Sequence, residues 1–368
     1  MKEKVTIICD PLLSEYGPTR PPVLIAKELR KHNYDASLIS ILANEKIKKN
    51  LESDGISVNV IGGRTPLKSE SLTWFYFWLL EGFFSVNSKK LKRLRLTLDG
   101  TVLNFSNTII LPCKIWYAQG PPTVLLDRTK DYLALHYKTV YLFSSPILRK
   151  IDKKMTNKFS ELAEKVFANS KYLARIYEQM GTKVETVIYP PIDCQTFKPT
   201  TTAPKGNYAV TYFGKETNFK VIQKALDKRI KIKAFGGKIA TAPKETLTHP
   251  LLEFLGRISD QQLVNLYSNA TFTLFPYIDE PFGYIPVESM ACGTPVVTFG
   301  NQGPGETVID GITGWLADNE NEIVDIALKI WKGGYSKGIR GECRKRALMF
   351  DIKSIVKQWI GEINKKVG

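Results

Sequence analysis

Two carboxylates and two ammonium groups carry the most specific chemistry in this chain. Glu280 and Glu288 stand in "EPFGYIPVESMACGTPVV", with seven residues between them. Lys215, directly after Gly214, and Lys220 stand five positions apart in "YFGKETNFKVIQKAL". The pattern around the glutamates predicts a strand ending at Pro276, a loop carrying Glu280, Pro281, Phe282 and Gly283, and a helix starting near Tyr284. Pro286 is tolerated in the first turn of that helix. Gly283 lets the backbone come close to a ligand. The free N–H groups and the positive end of the helix dipole favour phosphate. Glu288, on the same helix, can accept two hydrogen bonds from a diol such as a ribose, and Glu280 can reach the hydroxyls of a second sugar. The acids then act as hydrogen-bond acceptors flanking an anionic diphosphate and need not be a general acid/base pair. Lys215 and Lys220, placed at the carboxyl end of a strand, supply the cations, where open α/β sheets bind ligands. Either lysine alone is an ordinary solvated charge; the strand–glycine–lysine context beside the glutamate pattern argues against that reading.

The elements that must position these groups repeat as strand, turn, helix. Strands are expected over 4–10, 35–42 and 55–62, in "NTIILPC" and "KIWYAQG", and over 164–170 and 184–191, with a helix over 23–31 after the Pro-rich loop "YGPTRPP". A Pro- and Thr-rich break follows at 189–207. The pattern then restarts, with strands over 208–214, 230–236, 251–257, 270–276 and 294–300. Short β-rich runs alternating with helices argue for parallel sheets covered on both faces. The fold class is therefore α/β with two Rossmann-like domains. In the closing segment, Ile352, Ile355, Val356, Trp359, Ile360 and Ile363 share one helical face. The domains are expected at 1–192 and 193–347, with a final helix over 348–368.

The 368 residues suffice for two sizeable cores, and the net charge of +16 points to an anionic partner: nucleic acid, an anionic membrane or a phosphorylated substrate. A basic surface that only aids solubility is the bland alternative. The five cysteines, Cys9, Cys113, Cys194, Cys292 and Cys343, are odd in number, form no CxxC and sit mostly in apolar runs. They read as reduced, buried thiols of a cytoplasmic protein. The three histidines lie far apart, and no metal-ligand spacing occurs. The start, "MKEKVTIICD", reads as a strand and not a signal peptide, and no apolar run is long enough to span a bilayer.

One segment departs from the repeat. "SLTWFYFWLLEGFFSVNSKKLKRLRL", residues 71–96, joins an aromatic block to a basic one and is interrupted by Glu81. Trp74, Tyr76 and Trp78 suit a membrane interface, and Lys89, Lys90, Lys92, Arg93 and Arg95 suit anionic headgroups. A core helix with a solvated basic end is the alternative. Nucleic-acid binding is not expected, because no RNA or DNA motif accompanies the charge.

These motifs resemble the retaining glycosyltransferases of the GT-B fold, glycosyltransferase family 4 (glycosyl transferases group 1). "EPFGYIPVESMACGTPVV" resembles the family's E-x7-E motif, and "FGKETNFK" resembles its Gly-Arg/Lys…Lys diphosphate site. "FLGRISDQQLVNLYSNATFTLFP", which contains Arg257, "GPGETVIDGITGWL", with Glu306 and Thr307, and "VFANSKYLARIY" and "VIYPPIDCQTFKP" resemble its neighbouring segments. The likeness is strong over 165–320 and weak over 43–110. It implies two domains facing a cleft, the N-terminal one for the acceptor and the C-terminal one for the nucleotide sugar, with the final helix crossing back. It implies that Lys215 and Lys220 hold the leaving diphosphate, that Glu288 binds the ribose, and that Glu280 with the backbone of Phe282 and Gly283 holds the donor sugar. Gly214, Arg257, Pro281, Tyr284 and Gly17 complete the expected donor site. No cofactor and no divalent metal are implied, and the chain has no Asp-x-Asp motif.

Two departures stand out. Where many members carry a histidine beside the donor sugar, "WYAQGPPTVLLD" has Gln119, which cannot take a proton. That favours a reaction in which the leaving phosphate accepts the acceptor's proton on the same face. The paired glycines of the first loop are reduced to Gly17, before Pro18. The resulting expectation is a hexosyltransferase using a UDP- or GDP-sugar and a lipid-linked or other membrane-associated glycan acceptor, peripheral on the cytoplasmic face. Alternatives are a nucleotide-sugar epimerase of similar fold and a non-catalytic glycosyltransferase-like subunit.

Overall fold

A computed structural model of the chain describes residues 2–14, 17–62, 69–94, 98–130, 135–237 and 242–365. It divides into two compact units, one of Met1–Val124, Ser144–Pro191 and Ile355–Gly368, the other of Leu125–Phe143 and Ile192–Ser354.

The first unit is built on seven parallel strands: β1 (Lys4–Ile8), β2 (Asp35–Ser40), β3 (Ser57–Val60), β4 (Thr101–Asn104), β5 (Cys113–Ala118), β6 (Ala163–Ala168) and β7 (Thr186–Val187). Their spatial order is β3-β2-β1-β4-β5-β6-β7. The sequence places a strand in "NTIILPC", but only Cys113 of that run belongs to one, and the true neighbour of β1 is Thr101–Asn104. Residues 107–112 are apolar because Ile109, Ile110 and Leu111 are buried, yet their backbone serves side chains instead of a ladder. The Asn104 side chain donates to the Ile109 carbonyl (2.9 Å), and the Ile110 N–H donates to Glu81 (3.1 Å). The closing helix, Ile352–Asn364, belongs to this unit from Ile355 on. Trp359 is fully buried among Phe105, Tyr117 and Phe167.

The second unit holds six parallel strands: β8 (Ala209–Phe213), β9 (Ile232–Gly236), β10 (Leu252–Phe254), β11 (Phe272–Phe275), β12 (Val296–Phe299) and β13 (Gly314–Ala317). Their order is β10-β9-β8-β11-β12-β13. β11 and β12 are buried at every position, as strands covered on both faces require. The order reverses between β8 and β11. That is the topological switch point of an open α/β sheet, where the loops after the strands diverge and leave a crevice.

The aromatic–basic segment forms two helices, Glu70–Phe84 and Val86–Arg93, joined at Ser85 in a left-handed conformation. Arg95 lies outside the described residues. Glu81 does not interrupt a surface here. It is buried, and its carboxylate accepts the N–H groups of Asn87 (2.9 Å) and Ser88 (3.2 Å), so it caps the second helix. Gly82 lets the long helix Leu135–Leu162 cross closely: a Cβ there would lie 2.3 Å from Ile151 Cγ2. The surface assignment of the tryptophans is corrected by packing. Trp78 is buried, and the Trp74 indole donates to Asp10 at 2.9 Å. The exposed apolar residues are Leu72, Tyr76, Phe83, Phe84, Val86 and Leu94.

Candidate active site

The switch point of the second unit carries Gly214, Lys215 and Glu280, which the sequence singles out. β8 runs into Gly214 and Lys215; β11 runs into the loop that carries Glu280. The two loops are laced together by backbone hydrogen bonds. The Asn218 N–H donates to the Pro276 carbonyl (2.9 Å), and the Ile278 N–H donates to the Glu216 carbonyl (3.1 Å). Thr217 secures the first turn, accepting the Gly214 N–H (2.9 Å) and donating to the Tyr212 carbonyl (3.1 Å). Asn218 then caps the helix Phe219–Asp227 by accepting the Lys220 N–H (3.1 Å).

Gly214 is required by crowding. An added Cβ would sit 2.1 Å from the Tyr277 hydroxyl oxygen, while the Tyr277 ring stacks on Phe275 at 4.3 Å. Gly283 is required by conformation. Its φ is +87°, and it precedes the helix Tyr284–Ala291.

Glu280 is partly exposed as a residue, but its carboxyl group is withdrawn from water. One oxygen accepts the N–H groups of Gly283 (3.1 Å) and, at longer range, Phe282 (3.4 Å). The amides expected to face a donor sugar are thus engaged by the acid expected to work beside them. Burial first, and then the charge of Glu216, push the Glu280 carboxyl up to about 7; the two amides and Asp279 act more weakly, the amides lowering it and Asp279 raising it. Gln302, which carries no sequence signal, fixes the Glu280 backbone. Its side-chain oxygen accepts the Glu280 N–H (2.8 Å), and its amide nitrogen donates to the Tyr277 carbonyl (2.7 Å).

Glu288 is buried on the helix Tyr284–Ala291. The Tyr212 hydroxyl collects the field of the whole group. Burial raises its pKa, as do Glu216, Glu280 and Glu288, while Arg257 lowers it. Glu280, Glu288 and Arg257 thus all bear electrostatically on the Tyr212 hydroxyl. Lys215 is exposed and pairs with Glu216 at 3.2 Å. Lys220 is exposed on the first turn of its helix. Pro281 contributes its backbone beneath Gly303, and Phe282 is buried edge-to-face with Tyr284 at 5.3 Å. The residues missed from sequence are Glu216, Tyr277 and Gln302. Only Glu216, next to Lys215, had a charge that could have drawn attention.

Gln119 and Gly17 lie in the first unit. The Gln119 amide nitrogen donates to the carbonyls of Phe105 (2.7 Å) and Pro18 (3.0 Å). It thereby ties the turn that begins at Gly17, where φ is +60°, to the loop after β4. A histidine could not donate twice from one atom in this way. Among the described residues, no group of three or more His, Cys, Asp or Glu is arranged to hold a metal ion.

Comparison with known proteins bears on the family and the fold. Residues 217–333 match the family described as "Glycosyl transferases group 1". The D-inositol 3-phosphate glycosyltransferase of Thermobifida fusca is 29% identical over 196 residues, 44% of this chain and 45% of that protein. A probable sucrose-phosphate synthase of Thermosipho melanesiensis is 33% identical over 120 residues, 31% of this chain and 28% of that protein. The matches thus span less than half the length of these curated relatives. Among solved structures, Anabaena HepE in complex with UDP and glucose aligns with a TM-score of 0.71 at 18% identity, covering 99% of this chain and 100% of that one. WaaG, a glycosyltransferase of lipopolysaccharide biosynthesis, aligns with a TM-score of 0.69 at 13% identity, covering 98% of this chain and 100% of that one. At such identities the likeness establishes the fold, which is GT-B. The match to the glycosyl transferases group 1 family covers residues 217–333, which hold Lys220, Arg257, Glu280, Gly283 and Glu288.

Proposed function

We propose that the protein is a retaining glycosyltransferase that moves a hexose from a nucleotide-diphosphate sugar to a hydroxyl acceptor. The observation that carries this reading is the placement of Lys215 on the loop after β8 and of Glu280 on the loop after β11, at the switch point of the sheet, with Glu288 and Arg257 bearing on the same Tyr212 hydroxyl. Glu288 binds the ribose diol. Lys215 and Lys220 neutralise the diphosphate as it leaves. Ionised Glu280 accepts hydrogen bonds from the donor sugar. Catalysis is positioning plus stabilisation of developing charge on the leaving group. The leaving phosphate takes the acceptor's proton, since Gln119 has no proton to exchange. The donor base is uridine or guanosine; the UDP complexes of HepE favour uridine as the first probe. No metal or cofactor takes part in this scheme.

The test is thermal-shift binding with a panel of nucleotide sugars and free nucleotides, followed by hydrolysis assays on each hit. A donor that raises the melting temperature of the wild type, but not of Lys215→Ala or Glu288→Gln, supports the site and its class together. No shift with any nucleotide sugar, in folded protein, favours a non-catalytic subunit.

We further propose that the acceptor is membrane-associated and that the first unit docks on an anionic leaflet through residues 71–94, on the cytoplasmic face. Phe83 and Phe84 are 51% and 60% exposed, and Lys89, Lys90, Lys92 and Arg93 follow them on an exposed helix face. Among the described residues, no helix is long and apolar enough to cross a membrane. In co-sedimentation with anionic vesicles, a Lys89/Lys90/Lys92/Arg93→Ala variant should bind less than wild type. Equal binding would remove this part of the proposal.

A further inference from the structure

The loop that carries Glu280 is held by a residue from far back in the chain. Arg128 lies on the helix Pro122–Thr129, in the part of it that packs with the second unit. Its guanidinium pairs with the Asp279 carboxylate at 3.0 Å. The Asp279 side chain is only 5% exposed, so the ion pair is largely shielded from water on that side. Asp279 is also one of four described non-glycine residues with positive φ, at +58°. A residue with a Cβ rarely adopts that conformation unless its surroundings hold it there. The next residue in the chain is Glu280. Two positions further, the backbone amides of Phe282 and Gly283 close the turn onto the Glu280 carboxylate.

We propose that Arg128 is a positioning residue for Glu280: by gripping Asp279 it holds the left-handed turn that aims the Glu280 carboxylate, and it neutralises the negative charge beside it. The proposal rests on the donor-site reading above for its functional meaning, but its geometry stands apart from that reading. Other groups around Glu280 are accounted for. Glu216 faces it from the loop after β8 and pairs with Lys215. Tyr277 and Tyr212 are neutral hydroxyls held in that form by burial. Glu288 follows on the helix after it, and Arg257 bears on the same cluster through Tyr212. Gln302 contributes no charge. Asp279 is the acidic neighbour whose charge is met by Arg128.

Two substitutions should therefore move Glu280 in opposite directions. Removing Arg128 takes a positive charge from beside Asp279 and so disfavours ionised Glu280. Replacing Asp279 with asparagine, which tolerates the left-handed turn well, removes that charge and favours ionised Glu280. The experiment uses the full chain with glutamate side chains labelled at the carboxyl carbon. The Glu280 resonance is assigned by its loss in Glu280→Gln and followed through a pH titration. Arg128→Ala or Arg128→Gln should raise the midpoint by roughly one unit, and Asp279→Asn should lower it. Adding Arg128→Ala to Asp279→Asn should move it no further. Arg128→Lys should restore most of the wild-type midpoint. Amide exchange at Phe282 and Gly283 should be faster in Arg128→Ala than in wild type. Midpoints that shift in the same direction, or that do not shift while exchange is unchanged, would overturn the proposal. UDP-glucose and GDP-mannose binding to the same proteins separates the two readings. Binding by wild type with Arg128→Ala unaltered in every readout sinks the Arg128 role alone. The expected titration with no nucleotide-sugar binding leaves the role of Arg128 in place and sinks the donor reading.

Discussion

At the scale of single residues, the sharpest feature is a carboxyl group that titrates at about 7, well above the ordinary value of 4.5. Burial and Glu216 disfavour its charged form, so folding is favoured when Glu280 carries its proton. The sign follows directly. This contribution to stability is full below the unfolded value and is lost as pH rises from about 4.5 towards about 7. The Glu280→Gln variant should therefore show a flatter melting temperature across that window than wild type, measured by thermal denaturation at a series of pH values. Donor binding should follow the opposite trend. It needs the ionised acceptor, so affinity should climb through pH 7 in wild type and lose that limb in Glu280→Gln. For Lys215, the relevant magnitude is a hydrogen bond to a charged group, about 1.5–3 kcal/mol. Lys215→Ala should weaken diphosphate binding roughly ten- to hundredfold, as titration calorimetry with the nucleotide would read. Gln119 teaches a different lesson. The sequence expects it where the family has a histidine beside the donor sugar; its amide nitrogen is engaged by two backbone carbonyls, and a side chain's partners are not written in sequence.

At the scale of elements, the two site loops are laced by backbone hydrogen bonds and packed around Tyr277. Gly214→Ala would drive a methyl group into the Tyr277 hydroxyl, which lies 2.1 Å from that position. Overpacking of this kind costs about 1–3 kcal/mol. Combining it with Tyr277→Phe, which removes the hydroxyl oxygen, should recover part of the loss in chemical denaturation. An unchanged deficit would show that the crowding against Tyr212 decides the cost. Five of the strands of the second unit were legible because their apolar runs are compact and bounded by glycine or proline, as in "TPVVTFG". β4 and β13, Thr101–Asn104 and Gly314–Ala317, escaped notice although they are as long as β11 and β12, so length alone does not explain the omission. The run 107–112 misled for the opposite reason. Its hydrophobicity is real, but it lines the core as a loop whose backbone bonds go to Asn104 and Glu81. Trp74 and Trp78 looked like interface anchors because aromatic composition does not reveal which face of a helix is covered. The carboxylate that holds Trp74, Asp10, lies 64 positions away in sequence.

At the scale of the whole molecule, the charge of +16 and the exposed lysines around the proposed diphosphate site make nucleotide binding electrostatic in part. Raising ionic strength from about 0.01 M to 0.1 M shortens the screening length from about 30 Å to 10 Å. Affinity for a nucleoside diphosphate should fall over that range, and Lys215→Ala should blunt the dependence. The cysteines have a use that their chemistry alone does not suggest. All five are free and buried: Cys9 and Cys113 within the first unit, Cys194, Cys292 and Cys343 within the second. Each thiol is hidden from a modifying reagent until the structure around it opens. The chain therefore carries a reporter of opening in each half without any label being added. Mass-resolved alkylation under native conditions would time the two halves separately, and a bound nucleotide sugar should slow the clock in Cys292 before it slows the one in Cys9.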